Sequence, residues 1–481
     1  MKLSPKVPKA RRLRFAVLTA IAGGAALTTL SAAGVTVAAS ARPAAQPSAA
    51  AAVRIHPMLK SRFGSSTQPV SEEDCIAFLG VPCYGAPQFQ AAYDEQPLFS
   101  HGINGAGSTI AIVDSFGSPT MQADLTTFDQ EYGLPDPPSF QVIQPAGPVT
   151  FDPTNPDDTG WAGETTLDVE WAHAMAPGAN ILLVETPVSE TEGTAGFPEI
   201  VQAENYVIDH HLADVISQSF GATEQTFPSP FSLLALRSAY VNAFVHGVTV
   251  LAATGDAGST DDSDLNGDLY THPAVIWPST DPLVTAVGGT QLSLDDSGNR
   301  TAPDVVWNDS FNTDLNDVFF GNDGPNALGT GGGKSVVFRR PVYQLGVART
   351  VGFQRGVPDI SMSGACSGLV NTYQSFPGQD PGWYLVCGTS ESTPLFAGIV
   401  ALADQVAGHR LGLINPRLYL MSAFHAPGLV DITSGNNSTG FTQDGTQYSV
   451  PGFSAGPGYD LASGVGTVDA ARFVPELAGG H

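Results

Sequence analysis

A few short stretches of this chain carry residue types at spacings suited to nucleophilic and acid–base chemistry. VCGTSESTPLFAGIVAL, Val386 to Leu402, delivers Ser390 through a glycine-led turn to the start of an apolar helix. A hydroxyl placed there stands beside backbone N–H groups with no intrahelical acceptor, a setting that exposes a nucleophile and can hold an oxyanion. Such a serine needs a base. The chain has ten histidines, none following a Gly-Thr pair, and most lie in segments with no other polar signature. More suggestive is GETTLDVEWAHAMAPGA from Gly163, which stops at Pro177-Gly178 and sets Glu164 and Asp168 four residues apart. On a helix that spacing brings both carboxyls to one face, close enough to share a proton. His173 follows Glu164 by nine residues and falls on roughly the opposite face, which argues against it as a third member. On an exposed helix the same two acids would be no more than solvated charges.

Two further stretches weigh against that bland reading. In LAATGDAGST an apolar strand ends in Gly255-Asp256-Ala257-Gly258, so Asp256 is either a turn former or a site residue at a strand's carboxyl end. SQSFGA (217–222) places Ser219, Phe220 and Gly221 on an extended edge, where a peptide could add its own backbone as a strand.

Those residues need a framework, and the chain is long enough to bury one. It has 481 residues, 42% hydrophobic and 14% charged. The runs TIAIVDS (109–115), ANILLVE (179–185), DVISQSFG (214–221), VTVLAATGD (248–256) and LVTAVGGT (283–290) read as buried strands. Helical stretches such as 199–211 and 232–247 lie between them. This alternation predicts an α/β fold, a mostly parallel central sheet with helices on both faces and ligand chemistry at the carboxyl ends of the strands. After about residue 410 the chain turns rich in Gly, Asn, Ser and Asp, predicting loops that need another source of rigidity. Structure is expected to begin near Pro87, because residues 42–86 open as an Ala-, Pro- and Ser-rich leader or short propeptide.

Residues 1–41 read as a secretory signal: a cationic start, an apolar Ala-rich run, and small residues at Ala39-Ser40-Ala41. Glycines, serines and threonines interrupt the run, which argues against a membrane anchor. The formal net charge is −26; the first 41 residues hold six cations and no acid, so the remainder would carry −32. That excludes nucleic acid and stable membrane association as partners, and suits either work in acid or simple solubility. A secreted monomer is expected. Four cysteines suggest two disulfides, and the pairing Cys75–Cys83 with Cys366–Cys387 closes two local loops, although three pairings are possible.

The ordered set resembles the sedolisins, serine-carboxyl peptidases that share the subtilisin fold. It comprises Glu-x-x-x-Asp in GETTLDVEW, ATGDAGS, GGGKSVVFRRPVYQ (331–344), RGVPDIS (355–361), GTSESTP (388–394), DITSGNN (431–437) and AGPGYDLASGVG (455–466). The resemblance runs from about residue 87 to 472 and implies a peptidase of proteins or peptides, with Glu164 as general base, Asp168 its partner, Ser390 the nucleophile and Asp256 an oxyanion-hole carboxyl. It also implies one Ca²⁺ held by Asp431, Ile432, Gly456, Gly458 and Asp460. DSDLNGD (262–268) resembles the opening of a second calcium loop but has Pro273 where the closing glutamate belongs, so it reads as an acidic surface loop. Departures from the family pattern are the short leader where a large prodomain is usual, and Asp114 and Phe220 where some relatives extend the proton network with Glu and Trp. Phe220 cannot donate a hydrogen bond, which predicts an absent or altered extension. Glu391 is unusual too; its charge could raise the neighbouring carboxyl pKa values or merely cap the helix start, and the cap is the favoured reading. A subtilisin-type enzyme with a histidine base, or a binding protein on a peptidase fold, are the alternatives.

Overall fold

The computed structural model describes residues 68–190, 193–264, 266–321 and 324–479; the expected signal peptide and residues 42–67 of the leader lie outside them. The strand-forming runs build one sheet from β1 (Thr109–Ser115), β2 (Phe140–Ile143), β3 (Asn180–Thr186), β4 (Val215–Gln218), β5 (Thr249–Ala253), β6 (Thr285–Gln291), β7 (Val305–Val306) and β8 (Ile360–Ser363). Their order is β7-β6-β5-β4-β1-β3-β2, with β8 joining β6. Every pairing is parallel except β6 with β7. The five strands expected from sequence are all present. From β1 the chain first adds β2 and β3 on one side, then β4, β5 and β6 on the other. The carboxyl ends of β1 and β4 therefore flank the point where successive connections diverge, the natural crevice of such a sheet.

Both faces of the sheet are covered, as a parallel sheet of buried strands requires. Along β1, Ile110 and Ile112 pack into the layer that holds α2 (Pro156–Met175) and α5 (Thr389–Ala407). The alternate residues Ala111 and Val113 enter the layer beneath α3 (Phe197–Asp209) and α4 (Ser238–His246). A further helix, α1 (Met121–Tyr132), packs on α2.

The structure departs from the sequence reading in four places. Residues 70–86 are folded: a helix over Glu72–Leu79 is capped by Ser71, tied by the Cys75–Cys83 disulfide, and followed by Cys83–Tyr84, which pairs with Leu369–Val370. The Pro/Ala composition upstream concealed this start. The α2 helix begins at Pro156, seven residues before Gly163, with Asn155 accepting the Asp157 N–H at its cap. The stretch 232–247 splits into Pro230–Leu234 and α4. The glycine-rich tail contains helices over Asn415–Ala423 and Ala470–Ala478 and a hairpin, Thr439–Gln443 with Thr446–Val450. Both expected disulfides form.

The interior buries many carboxyl groups, among them Glu95, Asp114, Glu170, Glu204 and Glu391. Burial penalises their charged forms and pushes all five upward. A carboxyl held above its unfolded value contributes stability that is fully present below that value and lost as pH rises through the folded one. Asp256, Asp114 and Asp404 are pushed up to about 6, 7 and 8. The melting temperature of a Ser390→Ala chain is therefore expected to fall steadily as pH rises from about 4 to 8. Differential scanning calorimetry across that range checks this, and a flat profile would mean the groups are solvated.

Candidate active site

Two helices and two strand ends bring the site together. Glu164 and Asp168 lie one turn apart on α2, both fully buried, with a hydrogen bond between their side chains. Trp161 through Met175 is buried throughout, so α2 runs inside the protein, not along its surface. It lies directly against α5, where a Cβ on Gly398 would come within 2.5 Å of the Met175 Cβ. The absent side chain lets the two backbones approach.

Ser390 occupies the second residue of α5. Gly388 before it has φ 137°, and a Cβ there would sit 2.9 Å from Asp256 Oδ2. Pro394, inside the helix, has no N–H to give to the carbonyl four residues back, which is that of Ser390. The freed carbonyl lies 3.4 Å from the Ser219 hydroxyl, which donates to Asp168 Oδ1 at the shorter distance of 3.0 Å. Ser219 thus stands between Asp168 and the Ser390 peptide. On the other flank Asp256, just past β5, accepts both the Thr389 N–H at 2.7 Å and the Thr389 hydroxyl at 2.8 Å through Oδ1.

The electrostatics are those of carboxyls kept from water. Burial raises Asp168 well above the ordinary carboxyl range; the charges of Asp114 and Glu164 add to it, and the Ser219 hydroxyl opposes it. Burial also pushes Asp256 up to about 6 against the two hydrogen bonds from Thr389. Asp114, at the carboxyl end of β1, is held up to about 7 by burial. The extension that Phe220 put in doubt therefore keeps a carboxyl beside Asp168 but has no indole donor, for Phe220 packs in the core near Trp161 and Phe197. Gly221 fits tightly against Ile276 and Trp277. Ser219 and Phe220 present no exposed side chain, so any strand-like contact with a peptide there rests on backbone.

Glu391 differs from its expected role. It is fully buried and held well above the ordinary range by burial, with the Asp256 charge adding and Ser363 opposing. Only its place in the first turn was legible, since burial of an acid leaves no local mark in sequence. His173, set aside from the sequence, lies 3.3 Å from Asp129.

In the tail, Asp431 Oδ2 accepts the Gly458 N–H at 2.8 Å and Asp460 Oδ2 the Gly456 N–H at 3.0 Å. Four of the five expected calcium positions therefore meet in one loop, and Ile432 beside Asp431 is buried against Val306 and Ala462. Among the described residues no three His, Cys, Asp or Glu side chains gather as a metal site. An ion there must draw on backbone carbonyls besides the two carboxylates, and such an all-oxygen set fits Ca²⁺. In the 262–268 loop, Asp264 Oδ1 accepts the N–H groups of Asn266 and Asp268.

A mostly parallel sheet in this order, with a serine at the head of a buried helix and acids at the neighbouring strand ends, defines the subtilisin-like α/β class. Comparison with known proteins narrows it. The Subtilase family matches residues 155–416. Kumamolisin of Bacillus sp. (strain MN-32) is 31% identical over 446 residues, covering 88% of this chain and 71% of that protein. Sedolisin of Pseudomonas sp. (strain 101) is 29% identical over 427 residues, covering 87% and 64% respectively. The solved structure of Pseudomonas sedolisin complexed with two molecules of pseudo-iodotyrostatin superimposes with a TM-score of 0.66 at 26% identity, over 82% of this chain and 98% of that one. The chain belongs to the sedolisin family, serine-type peptidases within the subtilases.

Thr389→Val should keep the backbone N–H but remove the hydroxyl that steadies the Asp256 carboxylate. Asp256 is then expected to hold its proton to a pH above about 6. Carbon NMR of labelled aspartate in both proteins reads the shift directly.

Proposed function

We propose that this protein is a secreted, monomeric, acid-active serine-carboxyl peptidase that cleaves peptide bonds in proteins. The observation that carries the reading is the meeting at Ser390 of a buried, mutually hydrogen-bonded acid pair, through Ser219, and a second buried carboxyl, through Thr389. Ser390 Oγ attacks the scissile carbonyl while Glu164 takes its proton, and Asp168 shares a proton with Glu164 to keep the base poised. The carbonyl oxygen becomes an oxyanion. Asp256 meets it as a neutral acid whose O–H donates, because a carboxylate there would repel the developing charge. Collapse expels the amine with the proton Glu164 carried, and water repeats the sequence on the acyl-enzyme. The backbone of Ser219, Phe220 and Gly221 offers the substrate a strand-like edge. Both disulfides are in keeping with export, and among the described residues no helix is long and apolar enough to cross a membrane.

Activity requires Asp256 protonated, so it should fade as pH rises through about 6. Digestion of a denatured protein between about pH 3 and 9 is expected to show an acid optimum, with Ser390→Ala and Glu164→Gln each lowering kcat at least 10³-fold. An alkaline optimum insensitive to Glu164→Gln would overturn the assignment of the base.

Asp431 and Asp460, with the carbonyls of Ile432, Gly456 and Gly458, would hold Ca²⁺. When bound, the ion supplies cross-linking of a loop-rich tail, with no part in the chemistry. A chelator is expected to lower the melting temperature, and Asp460→Ala to remove that sensitivity. An unchanged melting curve would count against the site.

A further inference from the structure

One stretch of this acidic chain carries no acid. Residues 324–358 hold neither Asp nor Glu, although the chain has 46 of them, and contain Lys334, Arg339, Arg340, Arg349 and Arg355 among its 20 Lys and Arg. Net charge averages over the whole surface, but at physiological salt a partner feels mainly the charges within about 8 Å. Their distribution therefore matters more than their sum.

The stretch is a firm platform. Gly333–Arg339 and Gln354–Val357 pair as antiparallel strands, joined through a 3-10 turn over Val342–Val347 and a short helix, Ala348–Val351. Inward residues hold the connection. The Tyr343 hydroxyl donates to the Pro282 carbonyl at 2.9 Å, and Gln344 bonds Gly356 in both directions, at 2.7 and 3.1 Å. Val342 and Leu345, one 3-10 turn apart, are left along the outer edge. They are 81% and 57% exposed, and Phe353 is 87% exposed. The Arg340 N–H donates to the Phe353 carbonyl at 2.8 Å, and its guanidinium lies 5.9 Å over the Phe353 ring.

Arg339 and Arg349 on either side are exposed as well. Among the described residues no carboxylate lies within ion-pairing distance of Arg339, Arg340 or Arg349. The acids packed against the stretch are buried and already engaged: Glu224 by Ser335 and the Val336 N–H, Asp281 by Arg237, Asp359 by Arg355. Exposed apolar residues scattered singly need no explanation, but three on one connection among free guanidinium charges do.

We propose that this patch docks the protein reversibly on an anionic lipid bilayer: Val342, Leu345 and Phe353 enter the head-group boundary while Arg339, Arg340 and Arg349 meet lipid phosphates. Shape and charge select this partner. Side chains that stand so far out of the surface suit a fluid layer that yields around them, whereas a folded protein must offer matched pockets. Guanidinium groups suit phosphate oxygens. Attachment is peripheral, through a few side chains, and the acidic remainder of the surface orients the protein with this face toward the lipid. The overall negative charge opposes stable association, which leaves docking weak and sensitive to salt.

Docking needs no catalysis, so the secreted form, residues 42–481, is tested with Ser390→Ala to prevent self-digestion. It is sedimented with vesicles of equal parts phosphatidylglycerol and phosphatidylcholine, or of phosphatidylcholine alone. Binding to the anionic vesicles is expected, weakening as salt rises from about 0.05 to 0.5 M, with little binding to the neutral ones. A basic side chain at such a surface contributes about fivefold, so Arg339→Gln/Arg349→Gln should bind about 25-fold more weakly. Val342→Ser/Phe353→Ser should lose at least about tenfold, and both variants should melt close to native because the altered side chains are exposed. No binding to anionic vesicles, equal binding to neutral ones, or binding unchanged in both variants overturns the inference. Self-association without lipid that the same variants abolish would make a second copy the occupant, and overturns it too.

Discussion

The cost of burying a carboxyl without a cation governs this site. Asp114, Asp168, Asp256 and Glu391 are all withdrawn from water, and every charge acting on them is another carboxylate. Ionising them together in a low-dielectric interior is prohibitive, so protons must stay. A protonated acid is also a donor, and this converts a destabilising arrangement into one able to share a proton at Glu164 or to meet an oxyanion at Asp256. Acid conditions favour the fold for that reason.

That arrangement holds because the helices cannot move apart. α2 is buried along nearly its whole length, and α5 reaches it through the missing side chain of Gly398. Pro394 then removes one backbone donor from the turn that holds Ser390, whose carbonyl faces the Ser219 hydroxyl. Gly388 leaves Asp256 room to reach Thr389. Each contact links an element carrying one functional group to the element carrying the next, so the positions of the acids follow from packing, not from loop flexibility.

The glycine-rich tail serves the same architecture by different means. It has little apolar content of its own, yet its two helices are anchored where Leu418, Met421, Phe473 and Val474 enter the main core. The loop with Asp431 and Asp460 joins them through carboxylate to N–H bonds, the polar counterpart of that anchoring.

Sequence alone determined the α/β class and the five central strands, because these depend on local patterns such as β-branched runs; it favoured the two local disulfides among three possible pairings, and it offered Glu164, Asp168, Asp256 and Ser390 as the candidate site through a four-residue helical spacing, a glycine-led turn and the resemblance to the sedolisins. It did not locate the start of α2 at Pro156, since the segment that follows is buried on all sides and shows no amphipathic stripe from which to extend the helix back. It missed the folded segment from residue 70, whose order comes from a disulfide and from pairing with a strand nearly three hundred residues away. Nor could it tell that Glu391 is buried or that Phe220 belongs to the core. Those facts are decided by tertiary structure alone, because burial and strand register join residues distant in the chain, and the protonation of a carboxyl depends on what surrounds it.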